Sequence, residues 1–179
     1  AFGNYSVVAW TELPGETNTG NDTLRFTIRN LVNAPLTLPF TEGFESSSTT
    51  MTSNGYGVFG TNHLDYSADP GGRARTEEGN LYAHSGNSGL TLDNYRETTL
   101  VKNDATFTLN LSAYKDSTLY LDFHYMSRGE PEGNDKVYAR GKDTDPWVEI
   151  YDLFNNIPQS GRFFAAEAID LYRLLKIEN

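Results

Sequence analysis

"LYLDFHYMSRGEPEGNDKVYARG", residues 119–141, decides how this chain is read. Its first half alternates, with Leu119, Leu121, Phe123 and Tyr125 on one side and Asp122 and His124 on the other. A period of two is the mark of a half-buried strand. The polar run 129–135 then interrupts, and Val137 and Ala139 resume the pattern. Two readings compete. In one, Asp122 and His124 begin a reaction centre or metal site. In the other, the stretch is the central hairpin of a sandwich, its apolar side on the core and paired with the Val137/Ala139 strand, and its polar side outward.

Working outward, the pattern recurs. Segments 4–10 and 23–30 alternate well and make one β-hairpin, joined by the turn-rich connection 11–22. A two-stranded hairpin is marginal in water by itself, so it needs partners. Segment 31–40 holds two prolines and reads as a linker running into an edge strand. Residues 41–57 are rich in Ser, Thr and Gly and read as loop. Short strands are expected at 80–86, 105–114, 118–126, 135–141, 146–153 and 162–171, with one or two helical turns over 170–179. Evenly spaced short strands with few helix signals predict an all-β chain, an antiparallel β-sandwich of jelly-roll type.

The chain has 179 residues, 13% of them aromatic, with a net charge of −10. The first 35 residues contribute −1 and the remaining 144 contribute −9. So acidic a surface repels phosphate backbones, which excludes nucleic acid as a partner. There is no cysteine, which rules out disulfides, thiolate catalysis and cysteine zinc sites. No apolar run reaches the length of a membrane-spanning helix.

Catalytic patterns are sparse. His63, His84 and His124 lie far apart in sequence and form no H-E-x-x-H motif. Glu149 and Asp152 are three apart on an expected strand, so they should point to opposite faces unless the strand bends. That is unsuited to the two facing carboxyls of a glycosidase. The Asp143–Pro146 run is ordinary turn chemistry and lacks the EF-hand glycine and terminal glutamate. The expected function is therefore non-catalytic. Glycan binding stays open, because Tyr56, Phe59, Tyr66 and Tyr95 lie in loop-like segments, and Trp147 joins them if it faces out. Equally, such rings fill cores. The scattered basic residues, Arg73 and Arg75 among them, are expected to pair with surface acids at little gain.

Several segments in order resemble one family. Residues 38–46, "LPFTEGFES", resemble the opening of MAM-like, concanavalin A-like jelly rolls. Residues 78–89, "EGNLYAHSGNSG", are similar to their Gly-x-Tyr-Leu-Tyr strand, and 119–141 to their Leu-x-Phe-x-Tyr-x-Met hairpin. "PWVEIYDL", 146–153, sits where that family has its next Trp strand. The flavour is that of cysteine-free versions in surface and secreted proteins of Bacteroidetes-type bacteria. There such an opening follows an immunoglobulin-like, CARDB-type module, and residues 1–30 resemble the last two strands of one.

The resemblance implies an organisation and a setting. Residues 1–30 would be the terminal hairpin of an Ig-like module, 31–35 a linker, and 36–179 a jelly roll without its closing strands. The chain would belong to a large extracellular or cell-surface protein, with neighbouring domains or protomers as partners and residues 4–30 completing another domain's sheet. It also implies one structural Ca²⁺, with Glu45 as the first ligand and Asp65 and Asp69 as companions. The alternative for these carboxylates is strand capping and turn formation. Asp22–Leu24 and Asp116–Thr118 fit the O-glycosylation pattern of such bacteria. The expected function is a structural or adhesive module of a surface protein or fibre. The alternative is a carbohydrate-binding module attached to a secreted hydrolase.

Overall fold

The computed structural model describes residues 3–18, 20, 22–30, 34–47, 63–94, 100–114, 117–129, 134–156 and 161–172. It is all-β, and its strand ladders are all antiparallel pairs. The chain divides into two compact units. The first comprises Ala1–Glu78 and Ser88–Leu109, the second Gly79–Asn87 and Asn110–Asn179.

The first unit holds β1 (Gly3–Trp10), β2 (Thr23–Asn30), β3 (Leu64–Ala68), β4 (Gly72–Glu78), β5 (Ser88–Asn94) and β6 (Asn103–Phe107). β1 and β2 form the expected hairpin, with Tyr5, Val7 and Ala9 opposite Ile28, Phe26 and Leu24. β3 pairs with β6, and β4 with β5. β3 alternates, with Leu64, Tyr66 and Ala68 inward and Asp65 and Ser67 outward, whereas β4 is not announced by apolar alternation. β4 reads Gly-Arg-Ala-Arg-Thr-Glu-Glu, and its inward residues Gly72, Ala74 and Thr76 are small and buried. The tight link from β3 to β4 needs Gly71, whose φ is +99°, with Gly72 N–H donating to Asp69 O at 2.8 Å. Leu64 is wholly buried, a gain of about 1.5–3 kcal/mol for such a side chain. Outside the ladders, Leu36 makes one parallel bridge to Leu109.

Residues 80–86 are not a strand. Tyr82 and Ala83 both turn their N–H groups onto Gly79 O, and Gly79 N–H closes onto Asn87 O at 2.7 Å. The chain coils into turns where Leu81, Tyr82 and Ala83 suggest extension, and the strand begins at Ser88 instead.

The second unit holds β7 (Tyr120–Tyr125), β8 (Lys136–Ala139), β9 (Val148–Asp152) and β10 (Phe164–Asp170). Its core is Ile150, Ala166, Ile169 and Leu171, against which Leu119, Leu121, Phe123, Tyr125, Val137 and Ala139 pack. The inward face expected from 119–141 is thus correct on both strands. The pairing is not: β7 lies against β10 and β8 against β9. β7 and β8 follow one another in the chain but pair with different strands, and the core they share is built from two ladders. Residues 171–172 are helical.

Candidate functional site

Several places among the described residues gather polar side chains. The first surrounds the residues expected to bind calcium. Glu45 Oε1 accepts the N–H of Ser88 at 2.8 Å, tying the 41–47 segment to the start of β5. Asp69 Oδ2 accepts the N–H of Lys102 at 3.0 Å, so it closes the β3 end of the β3–β6 ladder. Asp65 is exposed on β3, opposite Thr106. Glu45, Asp65 and Asp69 are not drawn into one cluster. Among the described residues, no three His, Asp or Glu side chains are grouped to hold a metal ion.

The segment carrying Glu45 is anchored by a neighbour that sequence gave no reason to choose. Glu42 Oε1 accepts the N–H of Phe44 at 2.5 Å, and Glu42 Oε2 lies 2.5 Å from His63 Nε2. The Phe44 backbone is left-handed, φ 62°, and its carbonyl accepts from Ser47 N–H and Oγ–H. Phe40 and Phe107 pack edgewise or tilted around the His63 ring. Glu42 and His63 stand 21 residues apart, on either side of the Ser/Thr-rich segment, and no ladder links them. No spacing rule could have joined them.

The second place is the outer face of β7. Asp122 Oδ1 accepts the N–H of Ala168 at 2.6 Å. Ala168 lies in an irregularity of β10, between Ala166 and Ile169, and its φ is +55°. Asp122 thus holds a bulge in a backbone conformation that an L-residue with a Cβ avoids. His124 stacks on His84, with ring centroids 3.5 Å apart and planes within 12°, and Phe163 meets His84 edge-on. Arg128 fixes the same 79–87 segment from another side, donating to Leu81 O at 3.1 Å and covering the Tyr82 ring. Two histidines that looked unrelated therefore meet, and their contact is ring on ring.

The third place is the outer face of the β8–β9 hairpin. β9 carries an extra residue where its register shifts between Val137 and Tyr138, so Ile150 and Tyr151 both turn to the core. The shift brings Glu149 and Asp152 to the same side, which corrects the expectation that they diverge. Lys136 Nζ lies between them, 2.8 Å from Glu149 and 3.7 Å from Asp152. Its hydrogen bond to Glu149 raises the Lys136 pKa above its usual 10.5. The backbone and side-chain N–H groups of Asn155 hold the Asp152 carboxyl below its usual 3.8. Further along, Arg140 donates to Asp143 O and Oδ1 at 2.9 and 2.8 Å, and its guanidinium lies 4.4 Å from the Trp147 ring centre.

Trp147 is 48% exposed and Tyr138 47%, so both rings face water. Of the other aromatic candidates, Tyr66 is half-buried in β3 opposite Ala105. Tyr56, Phe59 and Tyr95 lie outside the described residues. The basic residues Arg73 and Arg75 do more than decorate the surface. Arg73 grips Asp93 with two bonds of 2.7 Å across β4–β5, and Arg75 adds a third at 2.8 Å. On the inner side, burial and the Tyr151 hydroxyl 3.1 Å away push the Tyr125 phenol well above the usual tyrosine range.

Comparison of the chain with protein-family models, with curated proteins and with solved structures returns no match. Among the described residues, no helix is long and apolar enough to cross a membrane.

Proposed function

We propose that this chain is a non-catalytic structural and adhesive module of a large extracellular surface protein or fibre. One observation carries the reading: among the described residues, charged groups on three strand ladders are engaged in bracing neighbouring strands. Asp93 sits between two arginines across β4–β5, Lys136 between two carboxylates across β8–β9, and Asp122 on the β10 bulge. In this reading residues 1–30 close an Ig-like module and 36–179 follow as a MAM-like sandwich. The apolar side of β1–β2 supports that, since Leu24, Phe26 and Ile28 are exposed and a sheet face of this kind packs on a second sheet.

The test is incubation with panels of neutral polysaccharides, esters and peptides, reading reducing ends, acid release and cleavage. The expected result is no turnover of any of them; turnover that is lost on mutating residues of this chain would overturn the reading. A structural calcium at Glu45, with Asp65 and Asp69, belongs to the same proposal. Three carboxylates supply at most six oxygens, the low end of the six to eight calcium takes, so backbone carbonyls would complete the set. A rise in melting temperature with millimolar Ca²⁺ that is abolished in Glu45→Gln supports the ion, and an unchanged melt removes it.

A second reading, a carbohydrate-binding module of a secreted hydrolase, is favoured by one feature, the exposed Trp147 ring beside Arg140. Glycan retention joined to a hydrolytic neighbouring domain would select it over the first.

A further inference from the structure

We infer that the outer face of the β8–β9 hairpin is a binding platform for a neutral glycan, with Trp147 and Tyr138 as its stacking surfaces. The inference rests on the adhesive reading and specifies its ligand. It begins with register. Tyr138 lies opposite Glu149, and Ala139 opposite Val148. One step further, Arg140 and Trp147 face each other, as their 4.4 Å contact confirms. Trp147 is two residues before Glu149, which makes it the diagonal neighbour of Tyr138. Diagonal positions in an antiparallel pair are about 7–8 Å apart, within reach of aromatic side chains. Two half-exposed rings therefore share one face at diagonal positions.

The polar groups between and beside the rings are held in place. Asp143 fixes Arg140 through two hydrogen bonds, and Arg140 in turn supports one face of Trp147. Lys136 is held by Glu149. Arg140 has more N–H donors than the two bonds to Asp143 consume, and a carboxylate has more acceptor sites than one lysine contact fills. A ligand suited to this face offers flat C–H surfaces to the rings and hydroxyls to the rim. A pyranose chain has both. Apolar rings with a few convergent polar groups are the usual make-up of small-ligand sites.

Charge and size narrow the choice. Lys136 and Arg140 stand against Asp143, Glu149 and Asp152, so the face carries one net negative charge on a chain of −10. A polyanionic glycan would be repelled, and a neutral one would not. Strands of this length, at about 3.3 Å per residue and about 4.8 Å apart, give a face on the order of 150 Å². A stable protein interface needs roughly 800 Å² from each partner. The face matches a short oligosaccharide.

The test uses affinity electrophoresis of the whole chain in gels containing soluble neutral polysaccharides: β-1,4-glucan, β-1,3-glucan, xylan and mannan. At least one should retard the chain. Trp147→Ala should weaken that retardation at least tenfold and Tyr138→Ala several-fold, whereas Trp147→Phe, which keeps a ring, should retain most of it. Unchanged far-UV circular dichroism and melting show that the alanine variants still fold. A second measurement is independent of any loss of binding. The chain has two tryptophans, so Trp10→Phe leaves Trp147 as the sole reporter, and its fluorescence should shift and saturate with the retained polysaccharide. Retardation unaffected by Trp147→Ala, or a silent Trp147, overturns this site while glycan binding stands. Retardation by none of the four overturns the inference, and the turnover assays then judge the non-catalytic reading separately.

Discussion

Asp93→Ala should be the most damaging single change among the charged strand residues. Asp93 on β5 is directly opposite Arg73 on β4, and it receives Arg73 Nε and Nη2 at 2.7 Å and Arg75 Nη2 at 2.8 Å. An ordinary surface ion pair contributes about 0.2–1 kcal/mol. Breaking a fully buried one costs about 3–5 kcal/mol. These side chains lie between the limits: Arg73 is 26% exposed, Arg75 15% and Asp93 27%. Arg75 keeps Glu77 at 2.5 Å, so the main loss falls on Arg73. The expected loss is about 2 kcal/mol, or roughly 4–8 °C in melting temperature for a chain of this length. Urea unfolding gives the global number, and hydrogen exchange of the β4 and β5 amides shows whether the loss is local. A double-mutant cycle with Arg73→Ala should return a coupling of about 1 kcal/mol, reduced but not abolished in 1 M salt. A change under about 0.5 kcal/mol, or zero coupling, would refute the view that this network braces the β4–β5 ladder.

Three further outcomes follow from individual contacts. Gly72→Ala places a Cβ onto Asn103 Oδ1 and drives that amide off Asp93 O, which its Nδ2 reaches at 2.9 Å. The cost should be about 1–3 kcal/mol by calorimetry, partly recovered when Asn103→Ala is added. Ala168→Gly should stabilise the fold by up to about 1 kcal/mol, because its left-handed φ of 55° suits glycine. Asp122→Ala should cost about 1–2 kcal/mol in a urea titration, since the Ala168 N–H then loses its acceptor. Stability should be flat in mid-range pH and fall at both ends. Lys136, raised above 10.5, contributes fully below that value and loses its contribution as pH climbs through the folded-state value. Asp152, lowered below 3.8, contributes above that value and loses it as pH drops through the folded-state value. Lys136→Met should flatten the alkaline arm and shrink, without removing, the acid arm in a pH series of melts, since Asn155 still holds Asp152.

Large inward residues make most of the second unit's strands readable: β7 and β8 carry Leu, Phe, Tyr and Val at period two, β9 and β10 carry Val, Ile and Phe with one irregularity each, and each falls within a few residues of its expected span. β3 has the same kind of alternation in only five residues, which is too short to stand out beside the loop-like stretch before it. β4 hides because its inward residues are Gly72, Ala74 and Thr76, while its outward residues are charges committed to Asp93 and Glu77. The opposite error occurs at 80–86, where Leu81 and Tyr82 imitate a strand although Leu81 is 63% exposed and the backbone folds onto Gly79. Pairing is less legible than strand existence. Chain adjacency favours β7 with β8, yet the ladder joins β7 to β10, whose nearest register partner, Phe164, is 39 residues after Tyr125.

The candidate sites fail or succeed for a related reason: side-chain roles here depend on local irregularities in the strands. A strict period of two separates Glu149 from Asp152, and one extra residue in β9 reunites them around Lys136. The same holds for the stretch that decides the fold. Asp122 and His124 share the outer face, as alternation requires. What Asp122 does there is set by a bulge on β10, where Ala168 presents an N–H that the ladder does not use. What His124 does is set by the turn that brings His84 over it. Alternation tells which face a residue takes. The partner it meets on that face comes from bulges and turns, and these are built by residues too ordinary to announce themselves: an alanine at 168 and a glycine at 79. The exposure of Trp147 is of the same kind: a ring near a turn can as well fill a core, and only the β8–β9 register places it on the outer face with Tyr138.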